Sequence, residues 1–319
     1  SNWLPELIEK WSHYSNENWC MIGYHAVSVI VDAYLKDIKQ FDVNKAFDAV
    51  ISSSNYDVHD GIGYFKKYGF IPEDLNSNSV SKTLEYAYDD WTIYRFAEAL
   101  GKTEIAETYF NRSKNYKNLF DPVTRFIRAK KSDGEFLNAF DPLSTVNQGY
   151  IEGNAWNYSL YVPHDIKGLS QLVGGDEVLI KWIDTLFTMH IAEEKYAHSE
   201  DLNKVGMIGN YVHGNEPSHQ IPYMYNYLGA AWKTQEKVNL IVNTMYKNKP
   251  DGLSGNDDCG QMSAWYIFSL LGFYPVAPGS NQYVIGTPGV KSAKIFLENG
   301  NVFEIEAENL DENHFYIDE

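Results

Sequence analysis

The chain has 319 residues, of which 44% are hydrophobic and 15% aromatic, so it can bury one large core, or a large and a small one. Its formal net charge of -17 argues against nucleic acid or an anionic membrane as a partner, because binding to phosphate depends on clustered Lys and Arg. The 24 tyrosines combine an apolar ring with a polar tip, which suits a sugar-binding cleft as well as ordinary packing between core and surface.

Apolar residues recur at three- and four-residue steps through most of the chain, a spacing that predicts helices. One such helix stops at Gly101, and the next ends at Asp121-Pro122. The predicted helices, about twelve in number, cover residues 3–13, 22–38, 43–53, 60–67, 81–100, 103–118, 148–160, 165–172, 176–190, 217–228, 232–246 and 260–271. Short turns alternate with longer loops rich in Gly, Asn and Asp, which indicates a closed ring of helix pairs without a strict sequence repeat.

From residue 281 the apolar residues alternate with polar ones in the segments QYVIG, AKIFL, VFEIEA and HFYI, a pattern that predicts strands. The ENGN sequence at residues 298–301 is a hairpin turn signal. A few strands cannot bury themselves. We therefore expect residues 281–319 to dock on the helical body, or to continue a sheet supplied by another part of the protein.

The sequence carries no recognisable signal peptide and no spanning segment, since its longest apolar run is interrupted by Asp32 well before membrane length. The opening Ser1-Asn2 looks like a tag remnant on an excised domain, so the absent signal leaves the compartment open. Cys20 and Cys259 cannot form a disulfide framework and match no metal-ligand spacing, and their pairing stays open as well.

The segment YIEGNAWNYSLYVPHD, residues 150–165, places a carboxylate in a glycine-flanked bend among aromatic rings. Tyr150, Trp156 and Tyr158 could desolvate Glu152, which would raise the pKa of that carboxyl toward the value a general acid needs. A carboxylate ahead of a helix is equally common as a cap of the first-turn amides. The residues alone therefore allow both roles for Glu152.

A second loop, SGNDDCGQ, sets Asp257 and Asp258 side by side ahead of a predicted helix. Adjacent carboxylates repel, so the pair needs a cation, opposite orientations or one exposed side chain. One of them could act as a general base while the other binds metal or holds the first in place. The alternative is an ordinary aspartate cap.

A third loop, HGNEPSHQ, offers oxygen ligands in Asn215 and Glu216, just before a proline that suits a helix start. Calcium takes such oxygens, about six to eight of them, and the chain has no thiolate cluster for zinc. His213 and His219 match no zinc-helix spacing. We expect the two histidines to hydrogen-bond to substrate or to neighbouring loops.

Asp89 and Asp90 form another acidic pair, this one inside a predicted helix. Their position beside an aromatic ring indicates inward-facing carboxylates paired with a cation such as Arg95 or Lys82. A contact between Asp90 and a substrate hydroxyl is the second interpretation.

Taken together, these segments resemble the catalytic domain of glycoside hydrolase family 92, the exo-acting α-mannosidases. The resemblance covers nearly the whole chain in family order. It is carried by residues 21–36, 79–91, 152–165, 213–219, 251–280 and 283–288.

The resemblance implies a mainly α fold, with an (α/α)6 barrel over residues 1–280, the short β segment over 281–319, and an N-terminal β-sandwich that lies outside this chain. It implies exo-hydrolysis of terminal α-linked mannose from glycans, with inversion, with bound Ca2+ and with the α-1,2 linkage as the expected type. An enzyme of this kind fits an extracytoplasmic location.

Carried onto this sequence, the resemblance makes Glu152 the general acid and Asp258 the general base, with Asp257 as the second carboxylate of that turn. Inverting hydrolysis needs a protonated carboxyl and an ionised one about 6.5–9.5 Å apart. The expected calcium ligands are Asn215 and Glu216. The expected contacts with the sugar are His213, Glu216, Trp156, Asp90 and His219.

Two positions depart from the family pattern. Asn256 stands where many relatives have an acid, for which Asp257 could substitute, and Gln220 replaces the usual second histidine. These departures leave room for a calcium-dependent glycan-binding domain without catalysis. A different (α/α)6 glycosidase or lyase specificity is the third hypothesis, because a fold alone does not fix the substrate.

Overall fold

The computed structural model of the protein describes residues 12–13, 16–17, 21–195, 204–311 and 314–317. The chain divides into two compact units. Unit 1 is Ser1–Asp165 with Ala277–Asn281, and unit 2 is Ile166–Val276 with Gln282–Glu319. The predicted boundary between residues 280 and 281 does not coincide with this division and stays a prediction.

Unit 1 is built around one long helix. Its elements are β1 (Ser12–His13), β2 (Asn16–Glu17), α1 (Ala26–Leu35), α2 (Val43–Ser53), α3 (Ile62–Tyr68), α4 (Ser79–Ala99), α5 (Thr103–Arg112), a 3-10 helix (Asn115–Leu119) and α6 (Ala155–Tyr158). Helix α4 packs against α1, α2, α5 and the 3-10 helix. Most of its side chains are buried on all sides, polar ones included, so it is not the amphipathic surface helix that its length would suggest.

Unit 2 combines helices with three short antiparallel strand pairs, β3–β4, β5–β6 and β7–β8. Its helices are α7 (Ile166–Val173), α8 (Asp176–Thr188), α9 (Met224–Tyr227), α10 (Ala231–Met245) and α11 (Gln261–Leu271). Its strands are β3 (Met207–Ile208), β4 (Tyr211–Val212), β5 (Phe273–Tyr274), β6 (Val284–Ile285), β7 (Ser292–Phe296) and β8 (Val302–Glu306). Helix α10 packs against α9 and α11, and α7 packs against α8.

Most predicted helices are confirmed to within a few residues, and that of residues 43–53 has the predicted bounds. The predicted hairpin is also confirmed, with Phe296 opposite Val302 and Gly300 at φ +84° in the turn. No helix among the described residues has the length and apolar character needed to cross a bilayer. The helix predicted over residues 3–13 lies largely outside the described residues, and its last two residues form β1.

Three predicted elements are wrong in extent or type. Only Ala155–Tyr158 of the helix predicted over 148–160 forms, because Gly149 and Gly153 take left-handed conformations. Two 3-10 turns, each with a proline that lacks an amide hydrogen near its start, interrupt the helix predicted over 217–228 before α9 begins. Residues 314–317 do not form the predicted strand.

Candidate active site

The loop that carries Glu152 is anchored to the start of α4. The carbonyl of Gly149 accepts hydrogen bonds from the amides of Val80 (2.9 Å) and Ser81 (3.3 Å), which satisfies two first-turn donors of the helix. In return, the Ser81 hydroxyl accepts a hydrogen bond from the Ile151 amide at 3.0 Å. The residue immediately before Glu152 is therefore fixed to a buried helix.

Glu152 is not the cap of the helix that follows it. Asn154 is the N-cap of α6, where its side-chain oxygen accepts from the Trp156 amide at 3.1 Å. The Asn157 side chain accepts in turn from the Asn154 amide at 3.3 Å, which completes a capping box. The capping role that the sequence allowed for Glu152 is thus filled by its neighbour.

Of the three predicted aromatic neighbours of Glu152, Tyr158 interacts with its charge. Glu152 is partly exposed, and the Tyr150 ring stacks on the Tyr158 ring with centroids 6.0 Å apart. Burial raises the pKa of the Tyr158 hydroxyl well above its ordinary value, and the charges of Glu85 and Glu152 raise it further. Tyr158 therefore lies near both carboxylates and bonds directly to Glu85.

The two adjacent aspartates have different environments. Gly260 holds the N-cap position of α11, and Asp257 caps the first turn from three residues earlier, since its side chain accepts a hydrogen bond from the Ser263 amide at 2.9 Å. Asp258 makes no such cap bond, and its side chain is partly exposed. Capping, the alternative that the sequence allowed for either residue, is therefore the role of Asp257 alone.

Asp258 sits in a strained stretch of backbone. Its φ is +42°, and Cys259 and Gly260 follow at +55° and +86°. Left-handed conformations cost of order 1–3 kcal/mol for residues other than glycine, and they persist mainly where a functional group must be presented. This turn therefore places a partly exposed carboxylate directly ahead of α11. Cys259 is exposed and unpaired, and Cys20 lies outside the described residues.

The two predicted histidines are embedded in unit 2. His213 is fully buried, and its ring nitrogens bond to the hydroxyls of Tyr211 (2.8 Å) and Tyr246 (2.7 Å). His219 donates from Nε2 to the His213 carbonyl at 3.0 Å. Burial lowers the pKa of both histidines, that of His219 to about 4, so both are neutral. These bonds match the second predicted role, contact with neighbouring segments.

The predicted calcium ligands are oxygen donors in the right chemical class. Asn215 is 7% exposed, and although it precedes a 3-10 helix its side chain makes no capping hydrogen bond. Glu216 follows it and is partly buried. Among the described residues no group of three or more His, Cys, Asp or Glu side chains is arranged to hold a metal. Further ligands would have to be amides, carbonyls, water or sugar hydroxyls, all of which calcium accepts.

Asp90 is held in an ion pair. It is fully buried, and its oxygens accept from Arg112 at 2.6 Å and from the Tyr24 hydroxyl at 2.7 Å. Pairing with a cation is confirmed, but the partner is Arg112, because Arg95 bonds to Glu98 and Lys82 to Asp60. The substrate contact of Asp90 stays a prediction.

Sequence reasoning missed three polar residues near the Glu152 loop: Ser81, Glu85 and His25. Ser81, Glu85 and Asp89 recur every four residues along α4, a spacing that places them on one face. That periodicity was the signal that could have identified them. His25 bonds to Glu85 and Asp89, although it lies 60 residues before Glu85 in the sequence. No local sequence pattern predicts such a contact.

A model of the glycosyl hydrolase family 92 catalytic domain matches residues 2–319. The GH92 α-mannosidase BT3965 from Bacteroides thetaiotaomicron, solved with mannoimidazole, is 42% identical with a TM-score of 0.90, and the match covers 96% of this chain and 40% of that one. The GH92 inverting mannosidase BT2199 of the same organism is 35% identical with a TM-score of 0.84, over 96% of this chain and 43% of that one.

A secreted glycosidase of Arthroderma benhamiae, named as uncharacterized, is 27% identical over 92% of this chain and 40% of its own length. The chain thus spans about two fifths of the length of these relatives. The predicted fold class, mainly α with an (α/α)6 barrel, is confirmed, because the described chain is mainly helical and resembles GH92 enzymes of that fold.

Proposed function

The chain belongs to glycosyl hydrolase family 92, and from this membership we propose that the protein containing it is an exo-α-mannosidase that releases terminal α-linked mannose from glycans with inversion. The mannosidases that it resembles support the substrate class, and one of them is named as inverting. The α-1,2 linkage is the expected preference.

In the proposed reaction, Glu152 donates its proton to the glycosidic oxygen as the bond from that oxygen to the anomeric carbon breaks. Asp258 accepts a proton from a water whose oxygen forms the new bond to the anomeric carbon from the opposite face. The products are mannose of inverted configuration and the shortened glycan. Asp257 supports this step by holding the turn of Asp258 through its cap bond to α11.

One observation carries these assignments. In both turns a neighbouring residue makes the helix cap, Asn154 beside Glu152 and Asp257 beside Asp258. Capping was the competing explanation for each of the two acids. With that explanation removed, a partly exposed carboxylate in a bend ahead of a helix is best explained by chemistry.

Asn215 and Glu216 would hold the calcium, which when bound supplies a positive charge that binds sugar hydroxyls and favours a flattened ring. The bond from His219 to the His213 carbonyl closes the loop that carries these two residues. Glu216, Trp156, Asp90 and the two histidines remain the proposed residues around the sugar. Trp156 packs edge-on against Phe126, with centroids 5.3 Å apart, and keeps part of its ring exposed.

We also propose that the rest of the protein includes the N-terminal β-sandwich of the family, and that the enzyme acts outside the cytoplasm on mannose-containing glycans. The relative that is named as a secreted glycosidase supports this location. The acidic composition fits the absence of nucleic acid from the proposed partners.

The test uses the full-length protein and the variant Glu152→Gln, with mannobiose isomers as substrates of poor leaving group and aryl mannosides as activated ones. The variant should lose turnover of mannobiose while retaining more of its activity on aryl mannosides, because a good leaving group needs less protonation. Glu98→Gln, an exposed carboxylate near the end of α4, is the control. Equal, small effects on both substrates would contradict the acid role.

Product stereochemistry measured by NMR tests inversion directly. Mannose released first as the α-anomer would refute the proposed mechanism. Binding of mannosides that EDTA abolishes, without product after long incubation, would instead support a glycan-binding protein in which the departures at Asn256 and Gln220 removed catalysis.

A further inference from the structure

Helix α4 carries a line of polar side chains on a buried face. Ser81, Glu85 and Asp89 are spaced four residues apart and are 0%, 5% and 0% exposed. Residues with this spacing lie above one another on a helix. Burying two carboxylates is costly unless each is paired and hydrogen-bonded. The groups that pair with these two carboxylates therefore indicate the role of this line of side chains.

Glu85 and Asp89 share one imidazole. His25 donates from Nε2 to Glu85 at 2.9 Å and from Nδ1 to Asp89 at 2.8 Å. The second oxygen of Asp89 accepts from the Tyr24 amide at 2.9 Å, and that of Glu85 accepts from the Tyr158 hydroxyl at 2.7 Å. All four carboxylate oxygens are thus engaged, as a buried polar network requires.

This arrangement keeps His25 charged. Burial opposes the charged ring, but Asp89 and Glu85 outweigh it and raise the pKa of His25 to about 10. Gly23 makes room for the ring: at φ +83°, a Cβ there would lie 2.5 Å from His25 Nε2. Two carboxylates and one imidazolium leave one net negative charge, located between α4 and the segment ahead of α1.

The same face of α4 binds residues that precede and follow Glu152 in the sequence. Ser81 accepts from the Ile151 amide at 3.0 Å, and the Tyr158 hydroxyl, bonded to Glu85, also bonds to Ser81. Tyr158 belongs to α6, which starts two residues after Glu152. The Tyr158 hydroxyl therefore links Glu85 to the helix that follows the Glu152 loop, and Tyr158 interacts with the charges of both acids.

We propose that Glu85 is a positioning residue for Glu152: its carboxylate, fixed by the imidazolium of His25, orients the Tyr158 hydroxyl and keeps a negative charge beside the loop that carries the acid. The inference rests on the proposed acid role of Glu152. A neighbouring negative charge disfavours loss of a proton from a carboxyl. Glu85 thus helps keep the acid protonated at the pH of turnover.

The titratable groups near Glu85 determine which charges change in the variant Glu85→Gln. They come from three elements: His25 ahead of α1, Tyr86 and Asp89 on α4, and Tyr158 on α6. Burial raises the pKa of both tyrosines well above 10, so neither titrates near neutral pH, and His25 stays charged. The charge of Glu85 itself is therefore what Glu85→Gln removes.

The experiment measures the pH dependence of kcat/KM for mannobiose hydrolysis by the full-length protein and by Glu85→Gln. The decline of kcat/KM at high pH (the high-pH limb) reports loss of the proton from the acid. The glutamine removes a like charge, so the acid loses its proton more readily and the limb should move to lower pH by about one unit. A role in folding alone would lower the rate at every pH and leave the limb in place.

Asp165→Asn is the matched control. Asp165 also accepts from a tyrosine hydroxyl, that of Tyr116 (2.7 Å), and from a cation, Lys114 (2.8 Å), within the same unit. These bonds are to Lys114 and Tyr116 rather than to Glu85 or Tyr158, so the variant should not move the limb. If Glu85→Gln does not fold, Tyr158→Phe keeps the charge and removes the link, and it should reduce mannobiose turnover more than aryl mannoside turnover.

A folded Glu85→Gln with an unmoved limb overturns the inference, as does an equal shift in Asp165→Asn. Tyr158→Phe with equal losses on both substrates overturns it where the first variant does not fold. Glu152→Gln, measured in parallel, distinguishes failure of the acid assignment from failure of the role of Glu85. If the loss of activity in Glu152→Gln does not depend on the leaving group, the acid assignment itself fails. If that loss does depend on the leaving group and the high-pH limb of Glu85→Gln is unmoved, only the role of Glu85 fails.

Discussion

Replacing Asp90 by alanine should strongly destabilise the protein. Asp90 is fully buried and accepts from Arg112 and from Tyr24, while the Arg112 side chain is only 13% exposed. Breaking a buried ion pair by removing one partner costs about 3–5 kcal/mol, because the other charge stays desolvated. Arg112 keeps one bond to the Ser54 carbonyl at 3.1 Å, which places the expected loss toward the lower end of that range.

Urea or guanidinium unfolding of the wild type and of Asp90→Ala would give the difference in the free energy of unfolding at equal slope. Asp57→Ala breaks an exposed pair with Lys66 and should cost below about 1 kcal/mol. The double variant Asp90→Ala with Arg112→Leu should lose less than the sum of its single variants, since no buried charge is orphaned. A loss for Asp90→Ala as small as that for Asp57→Ala would refute this reasoning and favour a contact with substrate alone.

Three further predictions test the same structure. The pKa of His25 is raised in the folded protein from its ordinary 6.5 to about 10, so the stability it contributes is complete below pH 6.5 and is lost as the pH rises toward 10; unfolding measured across that range should show this slope, and His25→Gln should reduce it, whereas an unchanged slope would count against the charged imidazole. Gly149 and Gly134 both have φ +88°, but a Cβ at Gly149 would lie 2.9 Å from Val80 and Ala129 and one at Gly134 meets nothing within 4 Å; Gly149→Ala should therefore lose more stability than Gly134→Ala, which carries only the left-handed cost of about 1–2 kcal/mol, and equal losses in thermal unfolding would show that the loop is not clamped on α4. EDTA should abolish mannoside hydrolysis by the full-length protein and Ca2+ should restore it better than Mg2+, which demands a stricter octahedral shell; turnover that persists in EDTA would remove calcium from the proposal.

The sequence predicted the helices well where side-chain spacing alone decides them. Residues 43–53 repeat their apolar positions with helical period, and Asp42 caps them by accepting from the Lys45 amide at 3.0 Å. The helix predicted over 148–160 failed because Gly149 turns to meet the start of α4, a contact across 70 residues of sequence between Ile151 and Ser81. Local patterns do not contain such contacts, and tertiary structure overrides them.

The candidate acids show the same limit. Capping and catalysis predicted the same residue types in the same position, a carboxylate in a bend ahead of a helix, so the sequence could not separate them at Glu152 or at Asp258. The structure assigns only the caps, through backbone geometry: Asn154 has the extended conformation of an N-cap, at φ -144°, and Asp258 has a left-handed one. Which of two neighbouring polar residues becomes the cap depends on where the chain turns, and glycines held by distant contacts set that turn.

The acids of α4 show a second limit. The sequence predicted that Asp89 and Asp90 face inward, but it identified neither Glu85 nor the cations that pair with these acids. In the structure all three are buried, because cations from other segments, His25 and Arg112, arrive to pair with them. Replacing such a network by apolar side chains is often neutral or favourable for stability. Its presence beside the Glu152 loop is therefore better explained by what the network does to that loop than by the folding free energy it contributes.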